Sequence, residues 1–188
     1  QTLIGNALAE NFSEDGVLSE ERSEEFMLLL NDDQRALVQR FVTDAVGGYV
    51  FEEQVCAWLD FGKQKYDAER LWVVDPIDGT KAFIDGRDIW CVSVAIVENG
   101  RSLCGVLDCP AKGEVFAASI HGGSKLNGIA LTVNAPEDEL RVAGPKHYLV
   151  PYANAELRRV EAVGHVPSLA YRIALIAAGR ISATFVKP

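Results

Sequence analysis

Several protein classes leave marks in a sequence that are missing here. Cysteine is scarce, with four residues in 188, and Cys56, Cys91, Cys104 and Cys109 form no CxxC pair. With apolar, strand-like neighbours, they are expected to be reduced and partly buried thiols, as in a cytoplasmic protein, rather than a disulfide framework. Basic residues are outnumbered 18 to 27, giving a net charge of -9. A nucleic-acid polymer is an unsuitable partner for such a chain, because binding one needs a basic face to displace counterions. No apolar run approaches the roughly 18 residues of a membrane span, so no membrane partner is expected. His121, His147 and His165 are not spaced as zinc ligands. Gln1-Thr2-Leu3-Ile4 has neither an initiator Met nor the basic-then-apolar layout of a signal peptide. Internal repeats and low-complexity tracts are also missing.

What remains is a chain that is 48% apolar, enough for a sizeable core. Residues 1–12 put Leu3, Ile4, Ala7, Leu8 and Phe12 on one helical face, and Val17-Leu18 reads as a short strand before Ser19-Glu20-Glu21. Residues 22–69 are acidic and mostly helical. Asn31 or Asp32 can cap a helix running to Val46, with Leu37, Phe41 and Ala45 on one face and Gly47-Gly48 ending it. Tyr49-Val50-Phe51 reads as a brief extended piece before a helix over 52–61. From Leu71 the pattern changes to strands: Leu71–Val74, fully apolar and expected to be buried, then Cys91–Val97 turning at Glu98-Asn99-Gly100-Arg101 into Ser102–Leu107. Glu114–Ser119, Arg141–Gly144 and Ala183–Val186 read as further strands. Ala153–Val163 and Ser168–Gly179 read as helices. Strands in a run flanked by helices predict a layered α/β or α+β fold.

The segment richest in chemistry is Trp72-Val73-Val74-Asp75-Pro76-Ile77-Asp78-Gly79-Thr80. A strand delivers Asp75 at its C-terminal end. Pro76 is expected to stop strand pairing and fix the backbone, so that Asp75, Asp78 and the Ile77 carbonyl converge. Two carboxylates and a main-chain oxygen form a hard oxygen site that suits magnesium. Gly79 allows close backbone approach to a ligand, and a helix opening at Thr80 presents N–H groups to an oxyanion such as phosphate. A divalent cation also reconciles an acidic protein with an anionic substrate. Standing alone, the same residues could form a solvated Pro-Asp-Gly turn; the apolar strand before them and the Gly-Thr after them favour a site.

WVVDPIDGT resembles the signature of the inositol monophosphatase superfamily. That group includes inositol-phosphate phosphatases, 3'(2'),5'-bisphosphate nucleotidases and a branch of histidinol-phosphate phosphatases. Asp15-Gly16-Val17-Leu18-Ser19-Glu20-Glu21 is similar to its upstream strand ending in Glu-Glu. Gly105-Val106-Leu107, Lys125-Leu126-Asn127-Gly128, and Ser168 with Leu175–Arg180 are similar to its central hairpin, later turn and late helix. The resemblance covers roughly residues 1–25 and 70–188. It implies a layered αβαβα sandwich of the sugar-phosphatase type. In this chain residues 1–140 would form an N-terminal α+β region with a helical insertion at about 26–69, and 141–188 the start of a truncated C-terminal α/β region. By the same resemblance Glu20, Asp75, the Ile77 carbonyl and Asp78 would be metal ligands for two or three Mg2+ ions. Glu20, Thr80 and Asp75 would be catalytic, with Glu20 and Thr80 positioning and deprotonating water. Gly79, Thr80 and Asp78 would hold a small phosphorylated substrate. Inositol 1-phosphate is the default, with a bisphosphate nucleotide and histidinol phosphate as alternatives. A homodimer and lithium sensitivity are implied in the same way.

The chain departs from the resemblance in three places. A Trp-Asp motif with a further ligand would be expected beyond Pro188, and an upstream acidic helix before Gln1, so the polypeptide is expected to be longer than these residues. Without that Asp, an inactive scaffold is the alternative from another class. The insertion has no counterpart in compact members; a mobile lid, a dimer contact and an inert elaboration stay open. Its Phe51-Glu52-Glu53 repeats the strand-then-Glu-Glu pattern, so Glu52 competes with Glu20 as a ligand. Lys81 is expected at the surface beside the phosphate turn. Trp90, Cys91 and Ser93 are expected to pack the sheet. Lys146 and Arg172 are candidates for the substrate's non-reacting end.

Overall fold

The computed structural model describes residues 1–133, 139–144 and 159–186. Two compact units share the chain: Gln1–Asp75 with Ala95–Ser102, and Pro76–Val94 with Leu103–Pro188.

The first unit begins with α1 (Thr2–Asn11) and β1 (Gly16–Ser19), then three helices, α2 (Ser23–Leu29), α3 (Asp32–Val46) and α4 (Glu52–Leu59). Helix α3 starts where its sequence says it should. The Asn31 side chain accepts from the Gln34 amide while the Gln34 side chain reaches back to Asn31, and Gly47 ends the helix in the left-handed region. Its buried face was misjudged. Val42 is buried, whereas Leu37 and Phe41 are 44% and 61% exposed. Phe26, Val42, Val50, Val55 and Leu59 form this unit's helical core. Tyr49-Val50-Phe51 forms no strand; Phe51 is instead the residue that precedes α4. Helix α1 crosses α4 so closely that a Cβ on Gly5 would lie 1.9 Å from the Trp58 carbonyl oxygen. Only glycine fits that crossing.

Strand β2 (Arg70–Asp78) runs through Pro76 rather than stopping at it, and of Leu71–Val74 only Val74 is buried. The expected buried strand is therefore half exposed. Strands β1 and β2 are parallel, with Gly16 opposite Leu71 and Ser19 opposite Val74. Asp15, just before β1, is buried and accepts from Arg70 Nε and Trp72 Nε1, each at 2.7 Å. Burial pushes its carboxyl up, but the Arg70 and Trp72 hydrogen bonds outweigh this and hold it below the usual range.

The second unit carries α5 (Thr80–Ile84) and most of β4 (Arg101–Cys109) with the first half of β3 (Cys91–Glu98); the joined ends of β3 and β4 and the predicted Asn99-Gly100 turn between them lie in the first unit. Then come β5 (Glu114–Ser119), β6 (Gly123–Leu126) and β7 (Ile129–Ala130), each antiparallel to the strand before it. Strands β1 to β7 are hydrogen-bonded in sequence order as one mixed seven-stranded sheet. A second, three-stranded parallel sheet orders β10 (Ala183–Thr184), β8 (Glu139–Ala143) and β9 (Arg159–Ala162). Residues 159–162 of the expected helix 153–163 are thus a strand, and its earlier part lies outside the described residues. Helix α6 (Leu169–Ala177) begins at Ser168, whose hydroxyl accepts from the Tyr171 amide. The unit's core gathers Cys91, Cys109, Phe116, Ala143, Tyr171, Ala174, Leu175 and Ile181. The mixed α/β class expected from the sequence is the one observed. All four cysteines are free thiols. Among the described residues no helix is long and apolar enough to cross a membrane.

Candidate active site

In the first unit the register of β1 on β2 decides where Glu20 lies. Ser19 is opposite Val74 in a parallel pair, so Glu20 leaves β1 just where Asp75 continues β2, which runs on to Asp78; Asp75 therefore lies inside its strand rather than at the C-terminal end expected of it. Glu20 is exposed and Asp75 half-buried. Glu52, the competing ligand, is elsewhere: it sits in the first turn of α4, and its Oε2 accepts from Arg35 Nε at 3.0 Å. The strand-end reading of Phe51-Glu52-Glu53 therefore fails for want of a strand.

The second unit opens with the rest of the motif. Gly79 has φ 92°, and a Cβ there would meet the Ile89 carbonyl oxygen at 3.1 Å and Ser168 Cβ at 3.2 Å. Both the backbone conformation and the lack of room require glycine. This turn starts α5 at Thr80, as the sequence predicts. The exposed Thr80 hydroxyl donates to the Ile77 carbonyl at 3.0 Å, which turns its lone pairs away from that oxygen.

Asp78 is held by partners that sequence reasoning did not assign to it. Its Oδ2 accepts from Ser168 Oγ at 2.5 Å and from the Ala170 amide at 2.7 Å, and lies 3.9 Å from Cys91 Sγ. The available signal was a serine at the start of a helix, which marked a cap but not its second partner. Cys91 is fully buried, as expected for sheet packing, yet also touches the Ser168 hydroxyl at 3.6 Å. A hydrogen bond with Cys91, together with burial, pushes the Cys109 thiol far up, so Cys109 stays protonated at neutral pH.

The remaining candidates scatter. Lys81 is exposed and 3.6 Å from Asp85. Arg172 donates to Thr184 Oγ1 and the Phe185 carbonyl, which tethers it to the end of β10. Lys146 and His147 lie outside the described residues.

The donor set consists of carboxylates and a carbonyl, which suits magnesium. Among the described residues no three His, Cys, Asp or Glu side chains form a ready-made metal cage. Magnesium does not ordinarily need one: it is commonly held by one or two carboxylates, with waters and substrate phosphate completing the shell.

Known proteins resemble the chain in sequence and in fold. A bisphosphate nucleotidase of Candida albicans, "3'(2'),5'-bisphosphate nucleotidase 2", is 30% identical over 138 residues, covering 69% of this chain and 38% of that protein. The "Fructose-1,6-bisphosphatase/inositol-1-monophosphatase" of Thermotoga maritima is 29% identical over 147 residues, 76% of this chain and 56% of the relative. The chain thus spans about half the length, or less, of the curated relatives it matches. Among solved structures, the extragenic suppressor protein suhB from Bartonella henselae superposes with a TM-score of 0.64 at 22% identity, over 95% of this chain and 58% of that one, a likeness of fold. The model of the inositol monophosphatase family matches residues 1–188 from end to end, and the chain belongs to that family.

Proposed function

We propose that this chain carries the cation and phosphate corner of a magnesium-dependent phosphomonoesterase. The observation behind the reading is the parallel β1–β2 register, in which Ser19 is opposite Val74, so that Glu20 follows β1 where Asp75 continues β2 toward Asp78. Glu20, Asp75, the Ile77 carbonyl and Asp78 would hold two or three magnesium ions. When bound there, magnesium supplies Lewis acidity that lowers the pKa of water and offsets charge on the leaving oxygen.

The chain's own groups have separate tasks. Thr80, whose hydroxyl hydrogen is committed to the Ile77 carbonyl, offers its oxygen as the acceptor that orients the attacking water. Glu20, exposed at the strand end, takes the proton. The amides of Gly79 and Thr80 hold the phosphate at the start of α5. Phosphoryl transfer is mostly positioning and electrostatics, so no covalent nucleophile is needed.

Inositol 1-phosphate is the default substrate, and the Thermotoga relative's name supports it. A 3'(2'),5'-bisphosphate nucleotide is the second reading, favoured by two observations. Lys81, 88% exposed, adds a cation just after the phosphate turn. Phe83, packed edge-on against Trp90 at 4.9 Å, adds an aromatic surface for a base. The Candida relative's name points the same way. The family alone supports a homodimer.

Phosphate release from inositol 1-phosphate, 3'-phosphoadenosine 5'-phosphate, histidinol phosphate and an aryl phosphate, with magnesium and with chelator, tests the reading. Magnesium-dependent release from at least one supports it, and the ranking selects the substrate. No release from any of them, from a polypeptide that includes the ligand expected beyond Pro188, supports the inactive scaffold.

A further inference from the structure

Ser168 is fully buried, and its hydroxyl has one hydrogen to give. That hydrogen goes to Asp78 Oδ2 at 2.5 Å, while the oxygen accepts from the Tyr171 amide at 3.0 Å. The same Oδ2 accepts from the Ala170 amide at 2.7 Å, one residue before Tyr171 in the first turn of α6. A helix start of nine residues therefore receives two caps: a neutral one from its own chain and an anionic one from Asp78, ninety residues away in sequence. An anion is favoured at this end of a helix, and hydrogen bonds to an ionised carboxylate are stronger than neutral ones. The Ser168 Cβ is also the atom that a Cβ on Gly79 would meet at 3.2 Å. One side chain thus bonds Asp78 and closes the space that a side chain at Gly79 would need.

We propose that Ser168, backed by the first turn of α6, is a positioning residue for the Asp78-Gly79 corner. It fixes one oxygen of Asp78, leaves the other, Oδ1, to face a cation, and sets the back wall of the phosphate turn. The cation half of this statement rests on the phosphatase reading above. The positioning half does not.

Two measurements on the 188-residue chain separate them. The first is metal-free thermal unfolding of Ser168→Ala, Asp78→Ala and the double variant. Each single change lowers the melting temperature by several degrees. The double variant loses less than the sum of the two singles, because both singles remove the same Ser168–Asp78 hydrogen bond while each also removes a bond of its own. Fully additive losses would overturn the proposal. The second is magnesium titration without substrate, followed by tryptophan fluorescence. Ser168→Ala raises the half-saturating concentration on the order of 10- to 100-fold, as loss of a ligand's hydrogen-bond partner does. Tyr171→Phe, which loses the 2.8 Å bond to Glu114 but keeps the amide that Ser168 caps, lowers the melting temperature without moving that concentration. An unmoved half-saturation in Ser168→Ala refutes the proposal even if the protein is less stable. If Ser168→Ala does not fold, Ser168→Gly, which helix starts tolerate, replaces it in both measurements. Should the unaltered chain bind no magnesium, the phosphatase reading falls, and the metal-free cycle still decides whether Ser168 positions Asp78.

Discussion

The molecule has two cores built on different terms. Around Val55 in the first unit, apolar residues from α2, α3 and α4 pack together, and the neighbouring polar bonds tie those helices to one another. Arg35 donates to Glu52 and to the Leu30 carbonyl, Gln39 to the Val50 carbonyl, and Asp60 accepts from the Ser23 amide. Around Cys91 and Tyr171 in the second unit, the core lies under strands and α6, and its polar bonds include those that converge on Asp78. One core closes on itself; the other supports a carboxylate. The same physical devices, caps and buried hydrogen bonds, serve stability in the first case and the aim of a side chain in the second.

Asp75→Asn tests this contrast most severely. If the chemistry is built around Asp75, the change removes phosphate release by roughly 10³-fold, the several kcal/mol that a Lewis acid contributes. Melting temperature should hardly change. An active Asp75→Asn protein would move the chemistry elsewhere and end the contrast.

Truncation of each core sharpens it further. Phe116, 6% exposed, and Leu59, 8% exposed, are large side chains in the second and first cores. Phe116→Ala should cost about 4 kcal/mol and Leu59→Ala about 3 kcal/mol in denaturant unfolding. The informative difference lies in magnesium titration of the folded variants. Phe116 packs edge-on to Tyr171 of α6, so its loss should also weaken magnesium. Leu59→Ala should leave half-saturation in place. Equal effects on magnesium would mean that both cores support the corner.

How much of this could be read in advance follows the range of the interactions. Local signals worked well. Asn31 and Gly47 bound α3, Asn99-Gly100 makes the hairpin, and Glu114–Ser119 is the strand expected. The turn into α5 at Thr80 was legible too, because Gly79 directly precedes it with a positive φ. What failed needed tertiary information. Leu37 and Phe41 mark the more hydrophobic stripe of α3, but the core took the Val42 side. Pro76 was read as a strand breaker, yet β2 continues through it. Ser168 was visible as a helix cap; its bond to Asp78 spans ninety residues and has no local pattern.

Asp15 gives a smaller effect, confined to acid. Its carboxyl titrates below the usual range despite burial, because Arg70 and Trp72 donate to it. A depressed folded value means that the stabilisation is full above the unfolded value of about 4 and disappears as pH falls through the folded one. Asp15→Asn should therefore cost on the order of 1–2 kcal/mol at neutral pH and almost nothing in strong acid. Urea unfolding at several pH values measures this directly. A loss that stays constant with pH would mean that shape, rather than charge, holds Arg70 and Trp72.

The smallest expected effect falls on the other strand-like Glu-Glu pair. Glu52 pairs with Arg35, which also donates to Asp32 and the Leu30 carbonyl. With the Glu52 side chain 37% exposed, the pair is well screened, and Glu52→Gln keeps an acceptor for Arg35 Nε. The change should cost less than about 1 kcal/mol and leave magnesium half-saturation within about twofold. Glu20→Gln, measured beside it, should lose most of its phosphate release. If Glu52→Gln were the more damaging of the two, the helical region would hold the ligand and the β1–β2 register would be a coincidence of pairing. Arg35 already argues against that outcome, because a guanidinium 3.0 Å from the carboxylate competes with any cation for the same oxygens.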